Sequence, residues 1–476
     1  MRLTAQEVGE YVGGSCLVPP SHEERILTGV SWDSREIAPD FIYVALPGAR
    51  VDGHDFIPQA LESGAGCVLV SHAVPDDVLD QARERGVAVY LVGDTYASVT
   101  NLARGWRRHL TGKVIALTGS VGKTTTKNLV RDVLSTTFST WATKANQNNE
   151  LGVPKTLLDA EADTQCVVVE MGMRGTGQLA SLCEFVKPDY ALVTNCGECH
   201  IELLGSREAI ARAKGEAVAA LPDDKGVAVL NLADERVDIV EEFAQVKQHN
   251  IRVAGFDGTG AHSESAVAWA SDASLDEQGR PQFVLHLPDG AHAVRLELRG
   301  LHNVSNACAA AALAFELGVS GEDIVSGLQS CLPEVGRQEV IACENGTVVV
   351  NDAYNANPDS MKAALSMFCS MDVPGRRFAV LGDMGELGSF APACHEGVGA
   401  FLAPLNVDRL VCVGDLSRLI AKAAIEHGFS AQAVTCVASN DEAVSCLKSE
   451  LKPGDAVLCK ASHSMELDKV VKELID

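Results

Sequence analysis

At 476 residues, 46% of them hydrophobic and 22% charged, the chain holds more material than one core usually organises, so two or three domains with a cleft are expected. Its 39 basic and 64 acidic residues give a net charge of −25, which weighs against nucleic acid and anionic membrane surfaces as partners. An anionic nucleotide substrate would need local basic groups and Mg²⁺ to overcome that field.

The first residues, Met1-Arg2-Leu3-Thr4-Ala5-Gln6-Glu7, carry no basic and then apolar export signal, and no apolar run is long enough to span a bilayer. A cytoplasmic protein without membrane insertion is expected. The 15 cysteines, an odd number scattered through strand-like and helix-like segments, read as reduced buried thiols and not as a disulfide framework.

Short apolar runs at 41–46, 67–70 and 87–92, separated by Gly, Pro and Asp turns, predict a small α/β module over 1–111. A helix over 96–110 ends at Thr111-Gly112. From 112 to 332 the near-continuous apolar runs 114–117, 166–170, 190–194 and 227–231 alternate with helical patterns, as a parallel sheet covered on both faces requires. Alternation around Leu287-Pro288-Asp289-Gly290 predicts an added hairpin, and an Ala-rich helix over 304–317 closes this part. The remainder, 333–476, opens with a hairpin turning at Glu344-Asn345-Gly346. Strands at 378–381, 410–413 and 456–459 then alternate with helices near Met361, Leu419 and Met465, a Rossmann-like doubly wound pattern without a Gly-rich dinucleotide fingerprint.

Thr118-Gly119-Ser120-Val121-Gly122-Lys123-Thr124, followed by Thr125, lies between the run 114–117 and a predicted helix over 125–134. Strand, Gly-rich turn and helix N-terminus together make a phosphate cradle, with Lys123 reaching the outer phosphates and the Thr124 hydroxyl available to Mg²⁺. Its spacing, GxxGKT, is two residues shorter than the standard nucleotide loop. Glu170 ends the run 166–170 and His200 follows 190–194, so both are expected at the carboxyl edge of the sheet beside the loop. There they suit metal ligation, although each alone could be a solvated loop residue.

Cys196-Gly197-Glu198-Cys199-His200 matches CxxCH, a haem-attachment pattern whose CxxC core could also be redox-active or half of a zinc site. Haem attachment belongs to exported proteins, and a zinc site needs a second ligand pair that the chain lacks. Lys214, within Ile210-Ala211-Arg212-Ala213-Lys214-Gly215-Glu216, reads by itself as a surface lysine.

The phosphate loop, the run Asn146-Gln147-Asn148-Asn149-Glu150-Leu151-Gly152-Val153-Pro154, Glu170-Met171-Gly172-Met173 and Asp352-Ala353-Tyr354-Asn355-Ala356-Asn357-Pro358 together resemble the Mur ligase family. The last run, followed by Leu381-Gly382-Asp383-Met384-Gly385-Glu386-Leu387-Gly388, is similar to the branch that adds D-alanyl-D-alanine to UDP-N-acetylmuramoyl-tripeptide. The Asp-Asn-Pro-Arg run typical of the diaminopimelate-adding branch is missing. The likeness extends over the whole chain, and Asp33-Ser34-Arg35, Arg50 and Asp52-Gly53-His54-Asp55-Phe56 resemble the family's uridine-nucleotide module.

The resemblance implies that the loop from Thr118 to Thr125 holds ATP and that Thr124, Glu170 and His200 ligate Mg²⁺, with two ions expected. Lys214 matches a lysine that several Mur ligases carbamylate, which would turn a cation into an anionic ligand. Asn303 matches an adenine contact, and Arg337 and Asp352 match nucleotide contacts from the C-terminal part. Asp33, Ser34, Arg35, Arg50, Asp52, Asn146, Asn149, Tyr354, Asn355 and Asn357 fall at substrate-binding positions. Lys123, Glu170, His200 and Lys214 are the implied catalytic set. Ala461-Ser462-His463-Ser464 stands where Gly-Ser-Arg-Ser is commoner, which leaves a phosphate-side arginine missing.

The implied reaction is ATP-dependent amide ligation through an acyl phosphate by a cytoplasmic monomer, the last peptide-adding step in making the peptidoglycan precursor. Rival expectations are a sister ligase adding another amino acid, a P-loop ATPase or kinase whose flanking domains bind a partner, and a non-catalytic nucleotide-binding subunit. The intact Gly122-Lys123-Thr124 and Glu170 weigh against the last.

Overall fold

The computed structural model describes residues 1–22, 24–199, 201–260 and 265–475. Three main sheets follow one another along the chain. In the first, Gly29–Ser31, Phe41–Val44, Cys67–Val70 and Ala88–Leu91 are parallel neighbours, and Ser15–Val18 runs antiparallel beside Ala88–Leu91. Alternate residues serve opposite layers, because successive strand side chains point to opposite faces. Ile42, Val44, Cys67 and Leu69 meet Val8, Val99 and Leu102, whereas Tyr43, Val68 and Val70 meet Ile57, Leu61 and Ala82.

The central sheet has nine strands, in the order Gly290–Arg295, Pro281–Leu287, Ala266–Leu275, Arg252–Asp257, Val227–Asn231, Tyr190–Val193, Lys113–Thr118, Cys166–Glu170 and Thr140–Ala142. All neighbours are parallel except Ala266–Leu275 with Pro281–Leu287 and the two strands of the last hairpin, which pair Leu287 with Gly290 as the turn chemistry predicts. The strand Ala266–Leu275 escaped sequence reading because its outer half is exposed and lacks an apolar run. From Lys113–Thr118 the chain goes out to Thr140–Ala142, returns through Cys166–Glu170, and then crosses to Tyr190–Val193 on the other side. That reversal opens a crevice at the carboxyl end of Lys113–Thr118, where doubly wound sheets bind ligands.

The helix after the phosphate loop is Lys123–Leu134, starting two residues earlier than the predicted 125. Against it packs His302–Glu316, whose alanines from Ala309 to Ala312 and Ala314 are fully buried. Such small side chains let two helices approach closely.

The third sheet has the order Glu339–Ala342, Val348–Asn351, Ala456–Lys460, Arg377–Gly382, Arg409–Val413, Val434–Val437, with only the first pair antiparallel. Its opening hairpin turns as predicted, with Gly346 at φ 80. The edge strand Val434–Val437 and the helices Ala391–Leu402 and Asn440–Glu450 were not foreseen. The helix expected near Met465 is Asp468–Ile475, Met465 itself ending a short preceding turn. No helix among the described residues is long and apolar enough to cross a membrane.

Trp106 joins the first two parts. It ends the helix Thr95–Trp106, is 1% exposed, and donates its indole N–H to the carbonyl of Ala160 at 3.0 Å. Trp106→Ala should therefore cost about 3–5 kcal/mol in chemical denaturation, and Trp106→Phe less, since it keeps most of the buried ring.

Candidate active site

The phosphate loop is held from the neighbouring strand end. Asn195 accepts the Ser120 N–H on its carbonyl and the Val121 N–H on Oδ1, both at 3.0 Å, and its Nδ2 donates to the Val121 carbonyl at 3.0 Å. Thr194 Oγ1 donates to the same carbonyl at 2.7 Å. Gly122 turns the chain into the helix at φ 79, and a Cβ there would lie 2.7 Å from Asn306 Oδ1, so both conformation and space call for glycine. The first intrahelical bond runs from Thr126 N–H to Gly122 O at 2.8 Å. The N–H groups before it form the positive end of the helix, facing the crevice. Lys123 curls back, donating from Nζ to the carbonyls of Gly119 at 2.7 Å and Ser120 at 3.2 Å.

Beside the loop, Glu170 is 1% exposed. Its Oε1 accepts from Thr124 Oγ1 at 3.2 Å and Asn148 Nδ2 at 2.9 Å, and its own N–H donates to Thr143 Oγ1. Oε2 has no hydrogen bond, although the Lys127 ammonium stands 3.5 Å away. Burial lowers the Lys127 pKa, opposed by the attraction of Glu170.

The opposite wall comes from the third sheet. Lys460 Nζ pairs with Asp352 Oδ2 at 2.8 Å and donates to the carbonyl of Asn355 at 2.9 Å. Burial raises the Asp352 pKa, opposed by Lys460 and Arg337. The Arg337 guanidinium lies over the Tyr354 ring at 4.1 Å, and the His463 ring stands 5.9 Å from that of Tyr354. Between the walls is a cleft of about 840 Å³.

Ser120, Val121, Gly122, Lys123, Thr124, Thr125, Glu170, Asn303, Arg337 and Asp352 line this cleft, and so do Asn146, Asn149, Tyr354, Asn355 and Asn357. Thr118 and Gly119 lie beneath the loop, where Thr118 Oγ1 donates to the Met171 carbonyl. Asn303 has both ends of its amide engaged, Nδ2 with the Arg299 carbonyl at 2.6 Å and Oδ1 with Asn306 at 2.8 Å. Asn149 Oδ1 accepts the Gly152 N–H at 2.9 Å where a helix begins, and Asn357 caps the helix Pro358–Ser370.

Lys214 corrects the sequence reading. It is not a surface lysine but 1% exposed within Arg207–Ala219. Burial, and secondly the charge of Lys123, bring its pKa down to about 7. His200 lies outside the described residues. The CxxC beside it is unsuited to thiolate chemistry, since burial pushes Cys196 up to about 12.

Asp33, Ser34, Arg35, Arg50 and Asp52 do not line the cleft. Arg35 donates to Asp33 at 2.5 Å and holds that carboxyl down to about 2. The backbone N–H and the ring of His54 do the same for Asp52, also to about 2. Sequence reading missed Lys127, Asn148, Asn195, Arg299 and Lys460. A lysine after three threonines, or one ending a buried strand, carries no motif, and only the fold brings these residues to the site.

Residues 117–314 match the Mur ligase middle domain, 336–463 the glutamate ligase domain of Mur ligases, and 26–103 the catalytic domain of the Mur ligase family. Over its full length the chain is 35% identical to 99% of a Bacillus subtilis protein named UDP-N-acetylmuramoyl-tripeptide–D-alanyl-D-alanine ligase. The chain belongs to the Mur ligase family. An Escherichia coli Mur ligase of the same name is 36% identical over 83% of each chain. Among solved structures, MurF from Acinetobacter baumannii superposes with a TM-score of 0.85 at 31% identity, covering 100% of this chain and 99% of the other. MurF from Thermotoga maritima, in complex with ADP, gives 0.76 at 26% identity, with 94% and 96% covered. The chain is thus a ligase with the Mur ligase fold.

Removing Lys460 would leave Asp352 buried without its nearest countercharge. In this Mur ligase, Lys460→Met should lose about 3 kcal/mol of stability by denaturant titration, and adding Asp352→Asn should restore part of it.

Proposed function

We propose that the chain joins D-alanyl-D-alanine to UDP-N-acetylmuramoyl-tripeptide, converting ATP to ADP and phosphate. The observation that carries this is the pairing of an anion-binding loop with the cations Arg337 and Lys460 across one cleft, in a chain similar end to end to ligases of that name. A tripeptide carboxylate oxygen attacks the γ-phosphorus, and the bond to ADP breaks. The amine then attacks the acyl-phosphate carbon, phosphate leaves with the C–O electron pair, and the nitrogen loses a proton.

The chain's contribution is placement and charge. The helix N-terminus binds the phosphates, and Lys123 exchanges the Gly119 and Ser120 carbonyls for their oxygens. Arg337 and Lys460 face them from the other wall. Thr124 and Glu170 would hold Mg²⁺: they offer hard oxygens, and Glu170 Oε2 is buried without a hydrogen bond. When bound, Mg²⁺ supplies neutralisation of phosphate charge as it shifts. Asn303, with its amide already engaged, acts in this reading by tying the helix His302–Glu316 to the loop through Asn306 and Thr126. The uridine nucleotide would be held by residues 1–111, ATP by 112–332, and the closing wall by 333–476, in a cytoplasmic monomer.

Phosphate release from ATP with UDP-N-acetylmuramoyl-tripeptide should rise strongly on adding D-alanyl-D-alanine, and an unchanged rate would sink the ligase assignment in favour of an ATPase. Lys123→Ala should lower turnover about 10³-fold while leaving uridine-nucleotide binding intact.

A second expectation concerns Lys214. An amine with a pKa brought down to about 7 is largely neutral just above that pH, and only the neutral form attacks CO₂, forming an N–C bond and releasing a proton. In ¹³C-bicarbonate at pH 8 the protein should show a carbamate resonance that Lys214→Ala lacks. Its absence from the unmutated protein would rule carbamylation out.

A further inference from the structure

Two cysteines outside the cleft form a pair that the ligase reaction does not use. Cys412 lies on Arg409–Val413 and Cys436 on the adjacent parallel strand Val434–Val437, and the two are direct register partners. Neighbouring strands lie about 4.7–4.9 Å apart, inside the range of roughly 4.4–6.8 Å between Cα atoms that a disulfide bridges. Register partners point to the same face. Here it is the face covered by the helix Ser417–Glu426, because Leu410 and Cys412 share a core with Ile420, Ala421 and Ala424.

Their environments differ. Cys412 is fully buried, whereas Cys436 is exposed on the outermost strand of the sheet. The neighbouring Cys412 thiol, helped by the charge of Arg418 and opposed by burial, brings Cys436 down to about 6, while Cys412 is raised. Burial instead raises Cys67, Cys166, Cys183, Cys308, Cys331 and Cys459, so these thiols resist oxidation.

We propose that Cys412 and Cys436 are a reversible redox modification site, in which a peroxide-class oxidant converts the two thiols to a disulfide joining the last two strands of the sheet. The Cys436 thiolate attacks one peroxide oxygen, an S–O bond forms as the O–O bond breaks, and hydroxide leaves to take up a proton. Cys412, losing its proton, then attacks the sulfenic sulfur and expels the oxygen as water. The two thiols give up two electrons to the peroxide, which ends as two waters. A strand-to-strand bridge in a parallel ladder is constrained, and constrained disulfides are the more easily reduced ones, so a dithiol reductant reverses the change.

The test uses the full-length, fully reduced protein, exposed to hydrogen peroxide at a low molar excess and mapped by peptide mass spectrometry without reduction. The expected result is loss of two of the 15 free thiols, a cross-linked pair of peptides carrying Cys412 and Cys436, and recovery of both thiols with dithiothreitol. Cys436→Ser should abolish the cross-link and leave Cys412 a thiol. Cys412→Ala should likewise give no cross-link, and Cys436, oxidised more slowly without its neighbour's thiol, should stop at a sulfenic acid that dimedone traps; a cross-link formed in either variant would also count against the proposal. A first cross-link between other cysteines, or Cys436 passing in the unmutated protein to sulfinic acid without a cross-link, would overturn the proposal.

Discussion

Asn195 is the constraint on which the rest of the site depends. A phosphate loop two residues shorter than the standard one has fewer backbone groups to wrap an anion, and here two of them, the N–H groups of Ser120 and Val121, are bound by Asn195 instead. The short loop is therefore clamped to the end of Tyr190–Val193, and anion binding falls to the N-terminus of Lys123–Leu134 with Lys123 itself. The clamp also fixes where that helix starts. Glu170 and Thr124 meet at 3.2 Å because Cys166–Glu170 neighbours Lys113–Thr118, the strand that leads into Thr124's helix, and that helix begins at a set height above both.

The net charge of −25 does not decide the fate of an incoming nucleotide, because screening in physiological salt acts over about 8 Å. What acts within that distance is the lining of the cleft itself, where Lys123 on one wall and Arg337 and Lys460 on the other stand among carboxylates such as Glu170 and Asp352. Each already has a partner within the protein: Lys123 its own loop, Lys460 the carboxylate of Asp352, Arg337 the Tyr354 ring. Holding cations in place beforehand lowers the cost of ordering them around an anion.

The parallel strands and the phosphate loop were legible because each is local: a continuous apolar run for a strand buried on both faces, and a fixed spacing of Gly, Lys and Thr for the loop. The motifs from Asp352 to Pro358 and at Glu170 also placed residues that the fold brings to one cleft. Lys214 was misjudged because its helix, Arg207–Ala219, is rich in alanine and charge and shows no clear apolar stripe. Its burial comes from the elements packed around it, which no local pattern encodes. Lys127 and Lys460 were missed for the same reason, each acquiring meaning only from a carboxylate far away in sequence, 43 positions for Lys127 and Glu170 and 108 for Lys460 and Asp352. The edge strand Val434–Val437 is short and half exposed, so its hydrophobic signal is faint.

What holds the two walls of the cleft at their distance is a matter of magnitudes. The ion pair between Arg174 and Glu386 crosses from the central to the third sheet at 3.3 Å, but both side chains are exposed, 72% and 41%, and such pairs contribute only about 0–1 kcal/mol. The hydrogen bond from Asn128 to Glu334 at 3.0 Å adds a modest tie at the start of the connection. Against these, each charge-assisted contact between a phosphate or carboxylate and Arg337 or Lys460 is worth about 1.5–3 kcal/mol. A handful of substrate contacts is therefore on the scale of these polar ties, to which the Asp372 N–H to Glu277 carbonyl bond at 3.1 Å and the packing of Ile201–Leu204 against Gly388–Phe390 add. Charged groups bound between the walls thus add to the protein's own ties on a comparable scale, the arrangement expected of a ligase whose substrates help to align its reacting groups.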